Sequence, residues 1–155
     1  MATRFRDEAT YLDQFGATLL VRCPRCGGRA EFAAPSDATG RQAALRRVVC
    51  AGCGYVRNGR ADGPNWDALS RGNVDPYSGL PLWLQTPCCG ETLWAYNMEH
   101  LAFLERYVAA TLRERTPNKN SSLASRLPAW LTSAKNREEV LRGIARLRAL
   151  GCCGA

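Results

Sequence analysis

The sequence predicts an α+β protein: a small antiparallel β module stapled by paired cysteines, then a β-hairpin and a C-terminal group of about three helices. Three patterns predict it. Two Cys-x-x-Cys-Gly groups lie at 23–27 and 50–54, tryptophan-bearing runs flank residues 87–90, and the C-terminal third carries apolar stripes at helical spacing.

Residues 1–16 read as a polar lead-in, with a short helix around 7–15. In the paired-cysteine region, 17–58, the runs 17–22, 29–34, 45–49 and 54–57 flank the two pairs. Each is short and holds β-branched or aromatic residues, as strands do. Residues 35–40 have turn composition, and 59–78, rich in Gly, Asn, Asp and Pro, read as a linker or loop.

Residues 79–151 form the second part. Runs 80–85 and 91–96 are expected to pair around Pro87 and Gly90; with Gln85 opposite Thr92, Trp83 would face Trp94. Asn97 caps a helix that places Leu101, Leu104, Val108 and Leu112 on one face and ends after Arg115, ahead of Pro117. Ser121 or Ser122 opens a short piece that continues at Pro128. Asn136 and Glu139 form a capping-box variant, and Val140, Leu141, Ile144 and Leu147 make the last stripe. The tryptophan hairpin is the surface these stripes would cover.

At 155 residues, 46% hydrophobic and 23% charged, the chain is a folded protein of one domain, or a metal-stapled module joined to a second core. The N-terminus lacks the apolar run of a secretory signal, and no apolar stretch reaches the roughly 20 residues of a membrane span. A cytoplasmic protein with reduced thiols and no membrane partner is therefore expected, and paired cysteines there point to a metal or to redox chemistry. The formal charge of +7 suits an anionic partner and equally serves solubility.

Cys23, Cys26, Cys50 and Cys53 form the strongest pattern, with 23 residues between the pairs. A two-residue gap lets one tight turn aim two thiolates at one ion, roughly 2.3 Å from each sulfur for zinc. Gly27 and Gly54 permit the positive φ such a turn requires. Over residues 17–58 the chain resembles the zinc ribbon class, in which two knuckles at hairpin ends share one metal. The resemblance implies one structural Zn2+, coordinatively closed and without an open position for catalysis. Zinc ribbons occur in transcription factors, polymerase subunits, ribosomal proteins, helicases and many small bacterial proteins. Two independent redox pairs are the alternative, but neither pair opens a helix as a thioredoxin-like motif does.

Arg22, Arg25, Arg46, Arg47 and Arg57 surround the knuckles and are the candidate phosphate contacts of a nucleic-acid surface, with Phe32, Tyr55 and Trp66 as stacking rings. Alternatively, the arginines balance the tetrathiolate's charge, and Phe32 and Tyr55 fill a small core. Cys88 with Cys89 and Cys152 with Cys153 could form a second metal site or support thiol chemistry; a buried hairpin tip and an incidental tail are the simpler reading. The one histidine, His100, reads as a surface or packing residue. No catalytic triad or phosphate loop can be assembled, so no enzyme and no small-molecule substrate is expected. Three functions follow: a nucleic-acid-binding or transcription-related accessory, a protein–protein adaptor with a structural zinc, and a thiol enzyme using Cys88, Cys89 or the tail.

Overall fold

The computed structural model describes residues 3–15, 17–33, 45–60, 73–114 and 122–152. The turn at 35–40, most of 59–78 including Trp66, and Pro117, Ser121 and Cys153 lie outside the described residues. The architecture is α+β.

Four strands form one antiparallel sheet in chain order: β2 (Thr18–Arg22), β3 (Arg29–Ala33), β4 (Leu45–Val49) and β5 (Val56–Arg60). β5 runs two residues past the expected boundary at 58. Leu19, Phe32 and Val48 pair across β2, β3 and β4 and therefore share a face, with Val21 opposite Ala30 on the same side. That face buries Leu19, Val21, Ala30, Phe32 and Val48 with Leu82 and Tyr96. Full burial of one such aliphatic side chain stabilises by about 1.5–3 kcal/mol.

β6 (Leu84–Cys88) and β7 (Glu91–Ala95) form the expected hairpin in a different register: Gln85 faces Trp94 and Thr86 faces Leu93. The reason is a tighter turn. Only Cys89 (φ 55°) and Gly90 (φ 78°) connect the strands, and two successive positive φ angles make a type I′ turn. Trp83 falls just before β6, and its Nε1–H donates to the Leu150 carbonyl at 3.2 Å. Residues 81–83 instead run beside β2: the Arg22 amide donates to the Pro81 carbonyl at 2.8 Å and the Trp83 amide to the Leu20 carbonyl at 2.9 Å. The Leu20 amide donates in turn to the Tyr96 carbonyl at 2.8 Å. The cysteine-bearing sheet is thus bonded directly to the C-terminal part.

Asn97 caps α1 (Met98–Ala109), accepting from the His100 amide at 2.9 Å, while its Nδ2 donates to the Phe15 and Thr18 carbonyls. The expected run to Arg115 is wrong. Ala110 turns extended, and Leu112, 50% exposed, begins β8 (Leu112–Glu114), which pairs in parallel with β1 (Arg4–Arg6). The lead-in is also more than polar. Phe5 is buried edge-on against Phe103 and Tyr107, ring centroids 5.5 and 5.1 Å away, and only a single 3-10 turn, Leu12–Phe15, forms where a helix was expected.

Ser122 caps α2 (Leu123–Arg126) and donates its hydroxyl to the buried Asp7 carboxylate at 2.6 Å. Pro128 opens α3 (Ala129–Thr132), and a 3-10 turn (Ala134–Asn136) leads into α4 (Arg137–Cys152). The capping box is not made: the Asn136 amide donates to Ser133, and the Glu139 carboxylate accepts from the Cys89 amide at 3.0 Å. Val140, Ile144 and Leu147 join the core with Leu84, Leu93, Leu101 and Leu104. At Gly143 a Cβ would stand 2.9 Å from Leu93 Cδ2, so this glycine lets α4 lie close on β7. Among the described residues, no helix is long and apolar enough to cross a membrane.

Candidate metal centre

Two similar turns build the centre. In the first, the Cys23 amide donates to the Gly28 carbonyl at 2.8 Å and the Gly27 amide to the Cys23 carbonyl at 2.9 Å. In the second, the Cys50 amide donates to Tyr55 and the Gly54 amide to Cys50, both at 2.9 Å. Gly27 and Gly54 have φ of 72° and 73°, the left-handed region glycine enters without a Cβ penalty. The Arg25 and Gly28 amides aim at Cys23 Sγ and Cys26 Sγ, each at 3.4 Å.

The turns bring all four sulfurs within 4.8 Å of one another. Cys23 lies 3.6 Å from Cys53, and Cys26 3.6 Å from Cys50, each contact crossing from one turn to the other. These distances are far longer than a disulfide, which is about 2.05 Å. They match a tetrahedron of sulfurs about 2.3 Å from a central ion, whose edges are about 3.8 Å. Electrostatics agree. Burial opposes the Cys23 thiolate, but the Cys26 and Arg25 amides outweigh it and bring this thiol down to about 7. At Cys53 the Tyr55 amide favours the thiolate, yet burial and the three neighbouring sulfurs push it up to about 12. Four sulfurs this close ionise together only around a cation. The four cysteines can therefore hold a metal ion, and with all four engaged no coordination position is left for a reacting molecule.

The five candidate arginines separate. Arg22, Arg25, Arg47 and Arg57 are exposed. Arg46 is buried, because the β4 pleat turns it to the same side as Val48. Its guanidinium lies 3.5 Å from the Tyr77 ring centroid and 5.6 Å from that of Phe32. Close by, Asp75 is fully buried and accepts from the Tyr77 amide and the Ser78 amide and hydroxyl. Burial raises its carboxyl, against those hydrogen bonds and the Arg46 charge. Arg46 and Phe32 are therefore packing residues and leave the candidate contact surface. Arg22 lies over the Trp83 ring, 5.8 Å from its centroid, and Arg47 donates to Asn58 Oδ1 at 2.9 Å. Tyr55 is half-buried against the sheet's core.

The second metal site that the sequence offered to Cys88 and Cys89 with the tail cysteines takes a different third member, Glu139. Cys88, Cys89 and Glu139 bring two sulfurs and a carboxylate oxygen within 4.8 Å of one another, with the sulfurs 3.6 Å apart. Burial pushes the Cys88 thiol up to about 12, helped by Cys89 and Glu139. Cys152 is exposed and outside this group. His100 is a packing residue: its ring stacks on Phe15 with centroids 5.1 Å apart, and burial lowers it to about 4.

No family model matches the chain, and no curated protein or solved structure is significantly similar to it.

Proposed function

We propose that the four cysteines hold one structural zinc ion in a non-catalytic, cytoplasmic protein that binds nucleic acid or acts as a transcription-related accessory. Four soft sulfur donors at tetrahedral spacing suit zinc better than a hard cation such as magnesium, which takes oxygen ligands.

The nucleic-acid reading rests on one observation. Arg22 and Arg47 stand exposed on the sheet face turned away from Val48, with Arg25 exposed in the first knuckle, and the four strands carry a single acid, Glu31; Arg57, opposite Val48, is exposed on the other side. Such a surface would contact phosphates, so binding should fall steeply with salt. Fluorescence anisotropy with labelled duplex and single-stranded oligonucleotides over a salt series tests this. Replacing Arg22 and Arg47 together by Ala should flatten the log–log slope by roughly 2, at about 0.9 per lost phosphate contact. Salt-independent binding, or none at low salt, overturns the reading.

A specific observation supports the adaptor reading as second choice. Val49 and Val56 pair across β4 and β5 and are 38% and 54% exposed, an apolar spot beside Arg47. A protein partner seated there would bind in a salt-tolerant way and be lost on changing Val56 to Asp.

A further inference from the structure

A second feature lies away from the metal centre. A cavity of about 550 Å³ opens between β7, α1 and the α2–α3 segment, within the size range of small-molecule sites, about 300–1,000 Å³. Trp94, Leu104, Leu127 and Trp130 supply apolar wall, and no acidic residue lines it among the described residues.

Two polar groups stand out against that wall. His100 also lines the cavity and is only 2% exposed. Its Nδ1 accepts from the Tyr96 amide at 3.0 Å, so the neutral ring carries its proton on Nε2, for which no partner exists among the described residues. This donor is open to an acceptor on a ligand. Arg126 is the one formal charge among the described lining residues. It is exposed at the end of α2, with no ion-pair partner among the described residues.

We propose that this cavity binds a small carboxylic acid with a flat, largely apolar body. The carboxylate pairs with Arg126 at the rim, the body lies among Trp94, Leu127 and Trp130, and an acceptor atom takes the His100 Nε2–H. The unpaired Arg126 guanidinium favours an anion over an amine, and the apolar walls favour a ring system over a sugar or phosphate. This site is independent of the nucleic-acid reading and stands or falls without it.

The zinc-loaded full chain, titrated with coumarin carboxylate and separately with its neutral carboxamide, provides the test. Calorimetry gives the affinity and ¹H–¹⁵N spectra follow the indole N–H signals. The acid should shift the Trp94 and Trp130 signals and bind at least about tenfold more tightly than the amide, the size of one charge-assisted contact. Arg126→Gln, an exposed change, should bring the acid to the amide's level. Leu127→Trp, which fills the cavity without altering charge, should abolish both, with spectral dispersion confirming that each variant is folded. Equal affinity for acid and amide, or an unchanged Arg126→Gln variant, overturns the carboxylate site. Indole signals unmoved by either compound at millimolar concentration overturn the cavity as a binding site.

Discussion

The Arg46 guanidinium sits 3.5 Å from the centre of the Tyr77 ring and fixes β4 to the chain segment that precedes β6. A buried cation–π contact contributes about 2 kcal/mol, and the arginine stem adds packing. Arg46→Ala should therefore lower the unfolding free energy by roughly 2 kcal/mol or more. Arg46→Lys should recover only part of this, because an ammonium lacks the planar stacking group. Arg47→Ala, one residue along and exposed, should stay within about 0.5 kcal/mol. Chemical denaturation of the three variants separates these outcomes.

Metal removal should act unevenly. Chelation, or Cys23→Ser with Cys50→Ser, should free the two knuckles from the ion proposed to join them. Signals from Leu19, Val21, Phe32 and Val48 should then lose dispersion first, while the separate cluster of Leu93, Leu104 and Ile144 persists longer. Native mass spectrometry should count one ion per chain. A second ion would be assigned to Cys88, Cys89 and Glu139, and Cys88→Ser would remove it.

The buried histidine makes stability fall in mild acid. Burial lowers His100 to about 4 from 6.5, so between those values the unfolded chain binds a proton that the folded chain does not. Its stabilising share is complete above about 6.5 and is lost as pH drops, at up to about 1.4 kcal/mol per pH unit. His100→Gln should flatten the dependence between pH 6.5 and 5 measured by denaturant midpoints, whatever it does to absolute stability.

Gly143→Ala should destabilise by about 1–3 kcal/mol despite the better helix propensity of alanine, because the new methyl meets Leu93. A thermal midpoint equal to the parent's would mean that α4 and β7 slide apart without cost.

The parts visible in the sequence were those whose chemistry is local. Ligand spacing and the following glycines carry the metal turns, and Asn97 announces α1 through one side-chain bond. The parts hidden were settled by neighbours far along the chain. Leu45-Arg46-Arg47-Val48-Val49 offers an arginine and a valine to each side of a strand, and only packing on Tyr77 determines which pair goes inward. Leu112 continues a helical stripe, yet the Thr111 and Leu112 amides bond to the Thr3 carbonyl instead. The cavity needs Trp94, Arg126 and Trp130 together, a juxtaposition without a short-range signature.

The pairing of β1 with β8 makes one strand wait for a partner far along the chain. Phe5 has no place to settle until α1 and residues 112–114 have been made. The cysteine knuckles close over much shorter loops and can assemble earlier during synthesis than β1 does. Deleting residues 4–6 would thus remove a piece of the interior rather than a loose strand.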